Sequence, residues 1–68
     1  MIVFLESEFE RGDVVIHKSN NELRFVVTGF LVTSIRNDKA EDYLLECSDG
    51  YEKKYLQPTE ITKDASDT

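Results

Sequence analysis

Residues 23–36, LRFVVTGFLVTSIR, constrain the fold more than any other stretch of the chain. Val26, Val27, Thr28, Val32, Thr33 and Ile35 are β-branched. Such side chains are stiff about χ1, fit poorly in a helix and pack well on a pleated surface. Gly29 interrupts the run. The expectation is one long strand, bent or bulged at Gly29. Parity supports the bend. Phe25 and Val27 share a face by the two-residue period of a strand, whereas Phe30 would fall on the opposite face. One extra residue near Gly29 returns Phe30 and Val32 to the core side. A strand bent in this way can serve both halves of a small barrel.

The rest of the chain supplies shorter strands and the turns between them. Val14-Val15-Ile16-His17 is a β-branched run preceded by the turn signal Gly12-Asp13. The segment from Lys18 to Glu22 reads as a polar loop, with Asn20 and Asn21 able to take positive φ. Asn37 to Ala40 reads as a turn. From Asp42 to Ser48, Tyr43, Leu45 and Cys47 alternate with Leu44, Glu46 and Ser48, and the first set is the expected inward face. Asp49-Gly50 is a hairpin signal, and Tyr51 to Leu56 follows as a strand. Pro58-Thr59-Glu60 is expected to form a single helical turn before Ile61. Residues 1–5 form a further short β segment.

Four or five short strands without a convincing helix predict an all-β domain, a small barrel whose closure removes exposed sheet edges. The chain has 68 residues, enough for one domain only. Residues 1–62 are expected to form that domain and residues 63–68 a flexible tail. A chain this short buries roughly 60% of the surface its unfolded form exposes, so a modest stability is expected.

Eight basic residues against fourteen acidic ones give a net charge of −6. That balance disfavours a generic phosphate-backbone binder, which is usually basic. Cys47 is the only cysteine, which excludes a disulfide within the chain and fits a reducing, cytoplasmic compartment. The apolar segment Ile2 to Leu5 is followed at once by Glu6, Glu8 and Glu10. It falls short of the ~7–15 apolar residues of a signal peptide, and no membrane span is expected.

Catalytic chemistry finds little support. His17 is the only histidine. No serine or cysteine is evident near it to complete a dyad, and its expected place is a partly buried position at the barrel rim. Cys47 lies between Glu46 and Asp49, acidic neighbours that do not lower a thiol pKa, and is expected in the core. Asp38, Glu41 and Asp42 form an acidic turn without the spacing of a calcium loop. The expectation is a chain with no enzymatic activity, no cofactor and no metal.

The ordered signals resemble those of SH3-like barrels of the Tudor and KOW type. Phe9-x-x-Gly12-Asp13-x-Val15 looks like their opening and Val27-Thr28-Gly29-Phe30 like their second strand. Tyr43-x-Leu45-x-Cys47-x-Asp49-Gly50 looks like their third strand and its turn. Leu56-x-Pro58-x-x-Ile61 looks like the closing one-turn helix and last strand. The resemblance spans roughly residues 9–62 and implies a fold rather than a function. Tudor domains that read methylated side chains use an aromatic cage. Here Phe30 and Tyr43 are expected in the core, which leaves Tyr51 and Tyr55. The first loop has no glycine, unlike that of KOW-type RNA binders.

Two functional expectations follow. One is a protein-interaction module that uses Tyr51, Tyr55 and the segments 18–22 and 37–42, since exposed tyrosine within a polar rim is the composition of an interface. Pairing through residues 1–5 would extend it to a weak homodimer in place of a monomer. The other is nucleic-acid binding, with Lys18, Arg24, Arg36, Lys53 and Lys54 gathered on one face and Tyr51 or Tyr55 stacking on bases.

Overall fold

The computed structural model describes residues 2–64. Five strands follow one another along the chain: β1 (Val14–His17), β2 (Asn20–Arg36), β3 (Lys39–Ser48), β4 (Lys53–Leu56) and β5 (Ile61–Lys63). They form one antiparallel sheet in the order β4-β3-β2-β1-β5. β4 and β5 are its edges, and no ladder joins them among the described residues. The expected all-β class is observed, with a sheet that hydrogen bonds do not close.

β2 is 17 residues long and is shared by both halves of the sheet. Its first half pairs with β1 and its second half with β3. The bend expected at Gly29 is present: Val27 pairs with Cys47 and Gly29 with Glu46, so Thr28 is the extra residue. Beyond it Phe30 pairs with Leu45 and Val32 with Tyr43. The bulge thus returns Phe30 and Val32 to the half-buried side and leaves Leu31 and Thr33 exposed.

The turns differ in detail from the sequence expectation. Positive φ occurs at Asn37 (54°) and Asp38 (62°), not at Asn20 or Asn21. Two consecutive residues of this kind make a two-residue hairpin loop whose twist matches that of the strands. Arg36 therefore pairs directly with Lys39, and β3 starts at Lys39 rather than Asp42. Between β1 and β2, Ile16 pairs with Arg24 but His17 with Asn20, so residues 21–23 have no partner on β1. The Asn20 side chain accepts the Glu22 amide at 2.9 Å and shapes this polar arch. Residues 57–60 form a hydrogen-bonded turn, the Glu60 amide donating to the Gln57 carbonyl at 2.9 Å, in place of the expected helical turn. No helix occurs among the described residues.

The core consists of Phe9, Val15, Phe25, Val27, Leu45, Cys47 and Ile61, with Phe30, Tyr43 and Leu56 packed against it. Leu45 and Cys47 are inward as their alternation requires. Phe9 comes from the irregular segment before β1, where Asp13 ties the turn: its carboxylate accepts the Glu10 amide at 2.9 Å and its amide donates to the Glu10 carbonyl at 3.0 Å. At the other end of the molecule Phe4 forms an isolated parallel bridge to Lys39. The expected N-terminal strand is thus one bridging residue. The expected tail begins at residue 63, yet Lys63 belongs to β5 and the Asp64 amide donates to the Val14 carbonyl at 2.9 Å. Residues 65–68 lie outside the described residues.

Candidate binding surface

The β3–β4 connection is a four-residue loop, since Ser48 pairs with Lys53. Asp49 organises it. Its Oδ1 accepts the Tyr51 amide at 2.8 Å and the Glu52 amide at 3.0 Å, and these two bonds hold its carboxyl below the ordinary aspartate range, the Glu52 amide being the larger cause. The Gly50 amide donates to Ser48 Oγ at 3.1 Å, and Gly50 takes φ of 98°. A side chain that replaces missing backbone partners in this way is the Asx device for fixing a turn. The loop presents Tyr51, which is 96% exposed. Tyr51 therefore precedes β4 and lies outside the strand expected from Tyr51 to Leu56, so it shares no strand face with Tyr55.

Tyr55 stands on the outer face of the sheet opposite Glu46. Its hydroxyl donates to Glu46 Oε2 at 3.4 Å, Lys53 Nζ lies 3.4 Å from Oε1, and the hydroxyl of the bulged Thr28 donates to Oε1 at 2.9 Å. The Thr28 hydroxyl is the largest reason that the Glu46 carboxyl sits below the usual glutamate range. Partial removal from water opposes it, and Lys53 and then Tyr55 add to it. Phe30 and Tyr43 meet edge to face at 6.2 Å between ring centroids, against the core. The four aromatics named from the sequence thus divide into a packed pair and two separate exposed rings, and no aromatic cage is assembled among them.

The five cations do not converge. Lys18 immediately follows β1 and Arg36 closes β2. Arg24 pairs with Asp64 at 3.1 Å and Lys53 with Glu46 at 3.4 Å, each neutralised by a partner. Lys54 alternates with Lys53 and Tyr55 and faces the other side of β4. A shallow groove of about 580 Å³ lies beside the Asp49–Gly50 turn, lined mostly by carbon, with Val14, Arg24, Val26 and Thr28 among its lining residues. Sequence reasoning missed this groove. Its signal was Val26, apolar on the face opposite the inward pair Phe25 and Val27.

His17 has a serine partner after all. Ser19 Oγ lies 2.7 Å from Nδ1, and the Ser19 amide donates to the same nitrogen at 3.1 Å. Glu60 Oε1 is 3.7 Å from Nε2. Two groups of one residue converging on Nδ1 tie the β1–β2 turn, and Lys18 secures the same corner through its amide to the Glu60 carbonyl at 2.9 Å. The Ser19 spacing was visible in the sequence, but Glu60 comes from the far end of the chain. Cys47 is fully buried, and burial first and the Glu46 charge second push its thiol pKa up, the opposite of what a nucleophile needs. No group of three or more potential metal ligands occurs among the described residues, and none of their helices could cross a membrane, there being none. Compared with known protein families, with curated proteins and with solved structures, the chain matches none.

Proposed function

We propose that this chain is a non-catalytic protein-interaction module of SH3-like architecture, acting through the face that carries Tyr51. The observation that carries the reading is Tyr51 itself: an aromatic ring 96% exposed on a loop fixed by hydrogen bonds. A loop backbone already fixed loses little freedom on binding, and exposed tyrosines are among the residues that dominate interface energetics. The adjoining groove over Val14 and Val26 offers apolar area for the same partner. The strand order, with a bulged β2 common to both halves, supports the SH3-like architecture. The lone buried thiol supports a cytoplasmic setting.

Nucleic-acid binding is the second reading, and the acid partners of Arg24 and Lys53 count against it. Affinity capture from the native lysate with and without nuclease, repeated with Tyr51→Ala, separates the two. A stoichiometric protein retained after nuclease and lost with the variant supports the interaction module. Capture abolished by nuclease transfers the function to nucleic acid.

A further inference from the structure

A second surface lies on the edge of β3. The β3–β4 ladder ends at the Leu45–Leu56 pair. Beyond it Pro58 has no N–H to donate, and the turn closed by the Glu60 amide on the Gln57 carbonyl carries the chain away from β3. On the same edge, among the described residues, the backbone hydrogen bonds of the N-terminal segment to this strand flank Lys39: the Phe4 amide donates to the Asp38 carbonyl at 2.9 Å and the Phe4 carbonyl accepts the Ala40 amide at 2.8 Å. Residues 42–44 therefore pair with β2 alone, and Glu41, the extra residue of a β3 bulge between the Ile35–Ala40 and Ser34–Asp42 pairs, has no ladder partner. Residues 41–44 line an open groove of about 450 Å³ together with Thr33 and residues 57–59. The three paired residues of this edge span about 10 Å at the usual rise.

The charges on this edge select its occupant. Continuing the parallel register past Phe4 and Lys39 would set Glu6 opposite Glu41, and the chain leaves β3 before that point. Neither Glu41 nor Asp42 has an ion pair among the described residues. A second copy would bring another net charge of −6 to an acidic edge, and charges on an edge strand oppose such self-pairing. The same acids attract a cationic strand. We infer that the open edge of β3 receives an extended basic segment of a partner protein, which pairs with residues 41–44 through its main chain and sets Lys or Arg against Glu41 and Asp42. The inference rests on the reading of the chain as a protein-binding module but uses a different surface from Tyr51.

The test titrates the full chain with an octapeptide alternating lysine and valine, followed by amide NMR. Controls are its glutamate–valine counterpart and a lysine–valine peptide with alternate amides N-methylated. The expected result is saturable shifts at residues 41–44 with the unmodified basic peptide only, and an affinity about tenfold weaker in Glu41→Lys/Asp42→Lys, roughly one charge-pair energy in total. Both positions are exposed, and Asp42→Asn provides a milder variant should the double reversal perturb the fold. Equal binding of the methylated peptide, shifts confined to the Tyr51 loop, or no binding would overturn the inference. Shifts at residues 41–44 on concentrating the protein alone would assign the edge to a second copy and overturn it too. Tyr51→Ala should leave this titration unchanged, so failure here is distinguishable from failure of the Tyr51 surface.

Discussion

Thr28, the extra residue of the bulge beside Gly29, holds Glu46 on β3: its hydroxyl lies 2.9 Å from the carboxylate Oε1 and 3.1 Å from the Glu46 carbonyl oxygen. The residue that bends the strand is thus also the largest cause of the lowered Glu46 pKa. A carboxyl with a lowered folded-state pKa contributes stability above its unfolded value and loses it as pH falls through the folded value. Thr28→Val keeps the β-branched shape and removes the hydroxyl. Its Glu46 pKa should rise toward the ordinary glutamate value in a carboxyl NMR titration. The acid limb of the stability curve, between the ordinary and the lowered Glu46 values, should flatten. Superimposable titrations of variant and wild type would refute this account.

Leu45 and Leu31 differ in burial although both lie in the β2–β3 ladder. Leu45 is fully buried and Leu31 is exposed. Leu45→Ala should cost about 2–5 kcal/mol, the range for a buried leucine left as a cavity. Leu31→Ala should stay within about 0.5 kcal/mol, as surface substitutions do. A small domain has only about 5 kcal/mol or somewhat more to lose, so Leu45→Ala should show a populated unfolded fraction without denaturant. Urea unfolding of the two variants side by side decides the matter.

Glycine matters at the loop and not at the bulge. Gly50 has φ of 98°, a conformation L side chains rarely adopt, whereas a Cβ on Gly29 would meet Glu46 no closer than 3.9 Å, ordinary contact. Gly50→Ala should therefore destabilise by about 1–2 kcal/mol and Gly29→Ala by little. Asp38 is the reverse case, a non-glycine residue at positive φ in the β2–β3 turn. Asp38→Gly creates the favoured Asn-Gly pair and should raise stability by about 0.5–1 kcal/mol. The midpoint of chemical denaturation should order the four proteins accordingly.

The β2 and β3 part of the core and its corner were readable from parity, whereas Phe9, from an irregular segment, was not. Phe30 stands three positions after Val27, and with apolar side chains on both sides of the gap only a bulge satisfies both. Tyr43, Leu45 and Cys47 gave the facing strand by simple alternation. Elsewhere local chemistry misled. Asn37-Asp38 lacks the glycine that marks a two-residue hairpin, so the early start of β3 went unread. Pro58-Thr59-Glu60 suits the first turn of a helix as well as the hydrogen-bonded turn it forms. The Tyr51 surface was half legible: the sequence marks Tyr51 as an exposed aromatic but suggests the start of a strand rather than the loop before β4. Its fixation by Asp49 Oδ1 and the groove over Val26 depend on tertiary register. The open edge of β3 required knowing where two ladders stop, which no single segment encodes.

Because β2 belongs to both halves of the sheet, neither half has a separate existence. The hairpin of β3 and β4 cannot detach as a stable unit, because its third strand is the one β1 also needs. Opening of the whole sheet and exposure of β2 amides to exchange are therefore one event. The edges obey a different rule: β4 and β5, four and three residues long, each rest on a single neighbour and can fray without it. Amide protection should fall outward from β2 in both directions, which makes this short chain a single cooperative unit around one strand.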